Sequence, residues 1–429
     1  MLLRELTKKS LTVFIIRIAG VIVLFLFTLF ITNFFSPENV GRYDFVRSIV
    51  MIIGGIALMG TNQATIYYSG LLKAKNSTGS IKNIYFKMLK IIAMTSFSFL
   101  FLYMFLAVQN KALINSFFNK PDAFNLVFKS FAVLIFFTST MLNIDTIRAI
   151  EKTMISELYR NIFRYTPVFI GAIVLFFMNR QDLIVDVYLA GFFILSMISS
   201  THVLLSFKKE PYAQNNPLSY TTKEILKVSS PMAVSAMAYF VMQSIDVIIL
   251  AIYEGFDKLA YYSVSVKLAT LIALALLSVN IVVAPKIAEL YEKKKKKEMQ
   301  TIIKKSTRII FIISVITLLF LVLFSEFILG LFGQNYLVAK QALIILIFGQ
   351  FFNSISGPGA IYLNMTKRQG VLNRILLTGL IINIVLNFYL IPNYGISGAA
   401  IATLISFVFW NIIIILYIYH KDQVKVFLT

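Results

Sequence analysis

Three basic side chains stand inside long apolar stretches of this sequence, where a positive charge is costly. They are Arg17, Arg47 and Lys267. Facing all three towards lipid would cost roughly 10 kcal/mol, which rivals the stability of a typical domain. We therefore expect at least some of them to line a watery space between helices, where the arginine fork suits phosphate. For Arg17 and Arg47, near helix ends, snorkelling to the lipid headgroups is the alternative.

An acid and three neutral polar residues form a second set of candidates. Asp246 is the only acid in its apolar stretch. Two interpretations stay open: a carboxylate satisfied by a neighbouring helix, for instance by Lys267, or an ion or proton site coupled to transport. Asn383 and Asn387 are four residues apart and share a helix face. For these two and for Thr403, each taken singly, hydrogen bonding between helices is the favoured role.

The elements that must position these residues are membrane helices. Of the 429 residues, 59% are hydrophobic and 14% charged, and the mean hydropathy is +0.82. Such a composition excludes a soluble globular protein and indicates one that crosses a membrane repeatedly. The chain has no cysteine, which excludes disulfides, thiolate metal sites and a cysteine nucleophile. The net charge of +21 fits basic cytoplasmic loops better than nucleic-acid binding.

Apolar segments long enough to cross a bilayer, which takes about 20 residues each, recur along the whole chain. The sequence predicts an all-α polytopic membrane protein with about twelve spans, at 11–34, 45–70, 84–108, 126–148, 162–178, 184–206, 228–252, 261–284, 308–332, 337–364, 371–391 and 397–419. Most of the 40 basic residues, including the lysine run at 293–297, then fall on one side. By the positive-inside rule, both termini are cytoplasmic.

The two halves of the chain resemble each other. Residues 40–47 and 259–267 both open a predicted span after a short loop, and both place a cation soon after an aromatic residue. A six-helix unit used twice explains this similarity, as in many transporters. We predict an N-terminal six-helix lobe at 1–207, a cytoplasmic linker at 208–222 and a C-terminal six-helix lobe at 223–429.

The hairpin between the last two predicted spans, residues 387–403, resembles that of the Wzx-type oligosaccharide flippases, which export O-antigen and other polysaccharides. These proteins form part of the multidrug/oligosaccharidyl-lipid/polysaccharide exporter superfamily. Similar stretches follow one another along the chain, at 40–48, 246–250, 284–290, 357–358 and 365–367. The resemblance implies two pseudo-symmetric lobes around a central cationic cavity. It also implies a flippase that moves a polyprenyl-diphosphate-linked oligosaccharide from the cytoplasmic to the outer leaflet by alternating access, for surface polysaccharide biosynthesis.

The resemblance also assigns roles to the candidate cations. In the related lipid II flippases, cations in spans 1, 2 and 8 contact the diphosphate. Arg17, Arg47 and Lys267 occupy similar places here, with Lys267 replacing an arginine. These three are therefore the predicted substrate-binding residues.

A second set of roles concerns ion coupling. The same relatives bind sodium between spans 7, 11 and 12, and the similar positions here are Asp246, Asn383, Asn387 and Thr403. Asn387 stands where those relatives have a second acid. The resemblance thus predicts no cofactor other than a coupling sodium ion or proton.

Two other functions remain as alternatives. A multidrug/cation antiporter of the same superfamily would need acidic cavity residues, whereas this inventory is basic. A membrane glycosyltransferase or polysaccharide polymerase would need catalytic residues on long external loops, and the loops here are short. We therefore expect that the protein is not an enzyme, that it has no catalytic or metal site, and that it has no nucleic-acid partner. The expected partners are the lipid-linked oligosaccharide and membrane lipids, and the expected state is a monomer in a bacterial or archaeal cell (inner) membrane.

Overall fold

The computed structural model describes residues 2–75, 77–107, 110–209 and 218–427, and within these ranges the chain is helical and has no strand. The helices group into two compact units, which we call unit 1 (Met1–Ser244) and unit 2 (Ile245–Thr429). The prediction of an all-α polytopic membrane protein is confirmed.

Unit 1 contains eleven of the described α-helices. Their bounds are α1 Leu2–Phe34, α2 Pro37–Ala57, α3 Thr61–Ala74, α4 Ile81–Ala107, α5 Lys111–Phe117, α6 Ala123–Ala132, α7 Leu134–Ala149, α8 Thr153–Leu158, α9 Thr166–Phe177, α10 Ile184–Lys209 and α11 Thr222–Met242. Short 3₁₀ turns lie at Thr78–Ser80 and Gln181–Leu183. A π-turn at Tyr159–Phe163 continues α8, and such turns frequently occur at functional sites.

Unit 2 is built from fewer and longer helices. Their bounds are α12 Ile245–Tyr253, α13 Phe256–Glu292, α14 Lys296–Leu323, α15 Ser325–Leu331, α16 Lys340–Ile355, α17 Gly359–Met365 and α18 Gln369–Asp422, with a 3₁₀ turn at Gln334–Ala339. The break between α16 and α17 falls at Gly357, whose φ of 68° is in the left-handed region, as the Gly-Pro pair there suggests.

Helix α2, which carries Arg47, begins on a strong local signal. The Ser36 hydroxyl accepts a hydrogen bond from the Asn39 backbone N–H at 3.3 Å, Pro37 occupies the first turn, and Glu38 follows it. A serine cap, an early proline and an acid near the positive end of the helix dipole all favour a helix start. This start fixes which α2 residues face the rest of unit 1.

The number of membrane spans can be compared with the prediction of about twelve. Eight helices of the described residues are long and apolar enough to cross a membrane, and two bent pairs, α2 with α3 and α6 with α7, bring the total to ten. Predicted spans 11 and 12 both fall within α18, whose 54 residues would measure about 80 Å as one straight helix, far more than a bilayer core. Since Gly395 is non-helical (φ 52°, ψ −132°), α18 contains two spans. Predicted span 7 corresponds to α11 and α12, which are not among the helices or bent pairs that are long and apolar enough to cross a membrane.

The boundary between the two units lies at Ser244, beyond the predicted linker 208–222. Helix α11, which the sequence analysis assigned to the second lobe, packs against α2 and α3 of unit 1. Residues 210–217 of the linker lie outside the described residues. The six-helix repeat and the central cavity stay predictions.

Candidate ion and anion sites

A buried carboxylate lies at the centre of a polar cluster in unit 2. Asp246, in the first turn of α12, is 7% exposed. Its Oδ1 accepts a hydrogen bond from Asn387 Nδ2 at 2.8 Å. Its Oδ2 accepts from the Tyr262 hydroxyl at 2.9 Å and from the Thr403 hydroxyl. These three donors are neutral, so they stabilise an ionised carboxylate through hydrogen bonds and dipoles.

The two asparagines of α18 connect to this carboxylate through one amide group. Asn387 Nδ2 also lies 2.9 Å from the Asn383 backbone oxygen and 3.0 Å from Asn383 Oδ1. The other side of the Asn387 amide, its Oδ1, is buried and has no hydrogen-bond partner among the described residues. Buried amide oxygens without a partner are rare, and one at a functional site calls for a ligand.

The break in α18 is what brings Thr403 to this cluster. A Cβ added to Gly398 would lie 2.4 Å from the Leu390 carbonyl oxygen, so the chain after the break passes directly against the chain before it. Gly379 gives a similar close approach, with 3.0 Å between an added Cβ and the Trp410 ring. Small residues at helix contacts allow such packing in membranes. As a result, residues before and after Gly395 reach the same carboxylate.

The four residues predicted for ion coupling therefore lie together, with Asn387 and Thr403 donating to the Asp246 carboxylate and Asn383 contacting the Asn387 amide, although their role stays a prediction. Tyr262 was not predicted from the sequence; it is fully buried and donates to Asp246. Its neighbour Tyr261 instead packs edge-on against Tyr336, with ring centroids 5.0 Å apart. The sequence offers an adjacent pair of tyrosines, and only the rotation of α13 selects one of them.

Arg17 forms an ion pair within unit 1. Its Nε donates to Glu157 Oε2 at 2.9 Å and its Nη2 donates to Oε1 at 3.0 Å. The Glu157 side chain is 1% exposed, whereas that of Arg17 is 37% exposed. Asn161 Nδ2 donates to the same Glu157 Oε2 at 3.0 Å. Glu157 was not among the predicted residues, because its partner lies far away in the sequence.

Arg47 and Lys267 have different surroundings. Arg47 is 26% exposed and lies 3.7 Å from the buried carboxylate of Asp44, one turn earlier on α2. Lys267 is buried on α13 of unit 2, five residues after Tyr262 and therefore on another face of that helix. The structure thus places two predicted cations beside acids of unit 1 and the third inside unit 2, and the common substrate-binding role stays a prediction.

The polar clusters differ from transition-metal sites in their donor atoms. No group of three or more His, Cys, Asp and Glu residues that could hold a metal occurs among the described residues. The Asp246 cluster offers carboxylate, amide and hydroxyl oxygens, which suit a hard cation or a proton.

An all-helical membrane protein that buries an acid and amides inside its apolar helices has the construction of a transporter. The family comparison agrees, because residues 231–389 match the model of the MatE family. The resemblance to the multidrug/oligosaccharidyl-lipid/polysaccharide exporter superfamily, predicted from the sequence, is confirmed.

Three curated relatives align with part of the chain. An uncharacterised membrane protein of Methanocaldococcus jannaschii is 32% identical over 39% of this chain and 33% of its own length. The probable low-salt glycan biosynthesis flippase Agl15 of Haloferax volcanii is 23% identical over 43% and 39%. A putative O-antigen transporter of Shigella flexneri is 25% identical over 46% and 45%. The chain thus aligns with about a third to a half of the length of these relatives.

Two solved structures share the fold over nearly the whole chain. The lipid II flippase MurJ in an inward closed conformation has a TM-score of 0.75 at 15% identity, and covers 95% of this chain and 87% of its own. An inward-facing multidrug resistance transporter of the MATE family also has a TM-score of 0.75, at 14% identity, and covers 96% and 98%. The fold is therefore that of both flippases and multidrug transporters.

Proposed function

We propose that this protein is a flippase that moves a polyprenyl-diphosphate-linked oligosaccharide from the cytoplasmic to the outer leaflet by alternating access, for surface polysaccharide biosynthesis. The observation that carries the proposal is the similarity to a glycan biosynthesis flippase and to an O-antigen transporter. The proposal includes a cell (inner) membrane location, both termini in the cytoplasm, a monomer and no catalysed chemical step.

The basic residues of the predicted spans support an anionic substrate. Arg17, Arg47 and Lys267 are the residues proposed to contact the diphosphate. The side chains of Arg17 and Arg47 are both partly exposed, while their acid partners are buried. A guanidinium has five donors, and an acid that occupies one edge leaves others for phosphate.

We further propose that the Asp246 cluster couples transport to sodium or protons. The unpartnered Oδ1 of Asn387 and the nearby Oδ1 of Asn383 offer amide oxygens beside a carboxylate. The hydroxyls of Thr403 and Tyr262 can turn their lone pairs towards a cation that arrives. The oxygen donors fit Na⁺, and the carboxylate also fits a proton.

A multidrug antiporter is the second candidate function, because a MATE-family structure is as similar in TM-score as MurJ. The two functions differ in the charge of what they carry. Export of cationic dyes from cells, with no effect of the chain on surface glycan, would favour the antiporter.

The flippase proposal is tested by replacing Arg47 and Lys267 separately with alanine. Each variant is expected to abolish complementation of a flippase-deficient strain, measured as surface polysaccharide, at normal membrane levels of the protein. Lys340→Ala is the control, since Lys340 forms an exposed ion pair with Glu326, and it should complement normally. Normal export by both test variants would refute the diphosphate role.

Ion coupling is tested with Asp246→Asn in proteoliposomes. Transport by the unchanged protein should respond to an imposed sodium or proton gradient, and the variant should lose this response. Equal responses in the two proteins, or no response in the unchanged protein, would refute the coupling role of Asp246.

A further inference from the structure

Arg164 is a partly buried cation in a candidate membrane span, and the neighbours described for it are not acids. It directly follows the π-turn of unit 1, and its Nη2 donates to the Met51 sulfur at 2.9 Å. Its guanidinium carbon lies 6.0 Å from the Phe137 ring centroid and 5.9 Å from that of Tyr165. Among the described residues, no carboxylate lies within ion-pair distance of it. Thioether and ring contacts are weak partners for a full charge.

Arg164 approaches the face of α2 that carries Arg47. Met51, which accepts a hydrogen bond from Arg164, follows Arg47 by four residues on α2. Met51 and Arg47 therefore share one face of this helix, about 6 Å apart along its axis. Tyr188 of α10 reaches the same face of α2, because its ring packs edge-on against Tyr43, one turn before Arg47. Among the described residues, Asp44 is the one acid at ion-pair distance from these two arginines, which leaves this part of unit 1 with an excess positive charge.

The Tyr188 hydroxyl is an independent indication of a ligand. Tyr188 is 5% exposed, and its oxygen is buried without a hydrogen-bond partner among the described residues. Its ring is fixed by edge-on packing against Tyr43 and Phe192, with centroids 5.0 and 5.2 Å away. A buried hydroxyl without a partner is costly, and this one belongs to a ring that packs against the face of α2 that carries Arg47, where it could donate to an anion.

We propose that Arg47, Arg164 and the hydroxyl of Tyr188 form a binding site for a phosphate or diphosphate group. The guanidiniums would each present a fork to phosphate oxygens, and the phenol would donate one further hydrogen bond. That the group belongs to a lipid-linked sugar rests on the proposed function. The site adds Arg164 and Tyr188 to the predicted substrate-binding residues, and both lie in unit 1 together with Arg47.

The rigidity of the site follows from a close helix contact below Arg164. A Cβ added to Gly54 would lie 2.4 Å from ring carbons of Phe137, so this ring rests directly on the α2 backbone. The ring in turn lies under the Arg164 guanidinium. Arginine is suited to such stacking, and lysine is not an equivalent replacement.

The test measures binding of inorganic pyrophosphate and of farnesyl diphosphate to the purified full-length protein, with farnesol as the uncharged comparison. Tyr188→Phe should weaken binding of both diphosphates about tenfold, because it removes one hydrogen bond to a charged group. It should not lower the melting temperature, since the hydroxyl has no partner to lose. Arg164→Lys should weaken binding by at least about tenfold through loss of the fork.

Arg160→Lys is the matched control. Arg160 lies in the same π-turn and is partly exposed, but it pairs with the buried Asp145, so its replacement should leave diphosphate affinity unchanged. Unchanged affinity in both Tyr188→Phe and Arg164→Lys would overturn the site, and the proposed function would still stand. If the unchanged protein binds pyrophosphate but not farnesyl diphosphate, the site stands and the lipid-linked substrate fails. If it binds neither, both fail.

Discussion

The pair between Arg17 and Glu157 leads to an asymmetric prediction about stability. Arg17→Met leaves the Glu157 carboxylate charged and 1% exposed, with Asn161 as its remaining direct donor. Breaking a fully buried ion pair from one side costs about 3–5 kcal/mol. Because Arg17 is 37% exposed, we expect a smaller loss. We estimate it at about 2 kcal/mol.

The reverse change should be milder. Glu157→Gln keeps the shape, removes the buried charge and leaves the partly exposed Arg17 as the unpaired partner, so we expect a loss of about 1 kcal/mol or less. The double variant removes both charges and should recover most of the stability that Arg17→Met loses. Melting temperatures of the purified proteins in one detergent measure all three. Equal losses in the two single variants, or a double variant as unstable as Arg17→Met, would refute this reasoning.

The same double variant tests the predicted substrate role of Arg17. If Arg17 contacts the diphosphate, the double variant should be stable and still fail to restore surface polysaccharide. If Arg17 serves only to hold α1 against α8, the double variant should export normally. Stability and export together thus separate the two roles, which neither measurement does alone.

Two further predictions concern unit 2. Tyr262→Phe removes one hydroxyl donor from the Asp246 carboxylate and keeps the buried ring. If the carboxylate is ionised, the variant should lose about 1.5–3 kcal/mol of stability and should respond more weakly to an ion gradient. An unchanged melting temperature would indicate a protonated acid. Gly395→Ala should cost about 1–3 kcal/mol of stability, because φ is 52° there and an added Cβ would lie 2.7 Å from a carboxylate oxygen. Gly330→Ala should be harmless, because a Cβ added at Gly330 meets nothing within 4 Å. Equal yields of the two variant proteins would contradict the argument.

Local patterns predicted the helices and part of the Asp246 cluster. Asn383 and Asn387 follow from helical spacing, and the Gly395 break follows from a turn signal between two apolar segments. Tyr262 does not follow, because the choice between two adjacent tyrosines depends on how α13 is rotated. Glu157 does not follow either, since its partner is 140 positions away. Contacts between helices that are distant in the sequence do not follow from the spacing of residues within one segment.

The assignment of basic residues to topology had a similar limit. The positive-inside pattern treats Arg160 and Arg164 alike, as two of the many basic residues of the chain. In the structure, they differ: Arg160 pairs with a buried acid, while Arg164 lies against a sulfur and two rings. Charge counting treats the two as equal, and only their neighbours separate them.

The two units therefore handle buried charge in different ways, although their sequences suggest a repeat. Unit 1 places Glu157, Asp44 and Asp145 each beside an arginine, and among the described residues Arg164 contacts a sulfur and two rings instead of an acid. Unit 2 surrounds Asp246 with hydroxyl and amide donors. An excess cation favours an anion, whereas an acid among neutral oxygens favours a cation or a proton. If substrate binding and ion coupling are divided in this way, Tyr188→Phe should weaken diphosphate binding without changing ion dependence, and Asp246→Asn should do the opposite. A variant set in which both properties always change together would contradict that division.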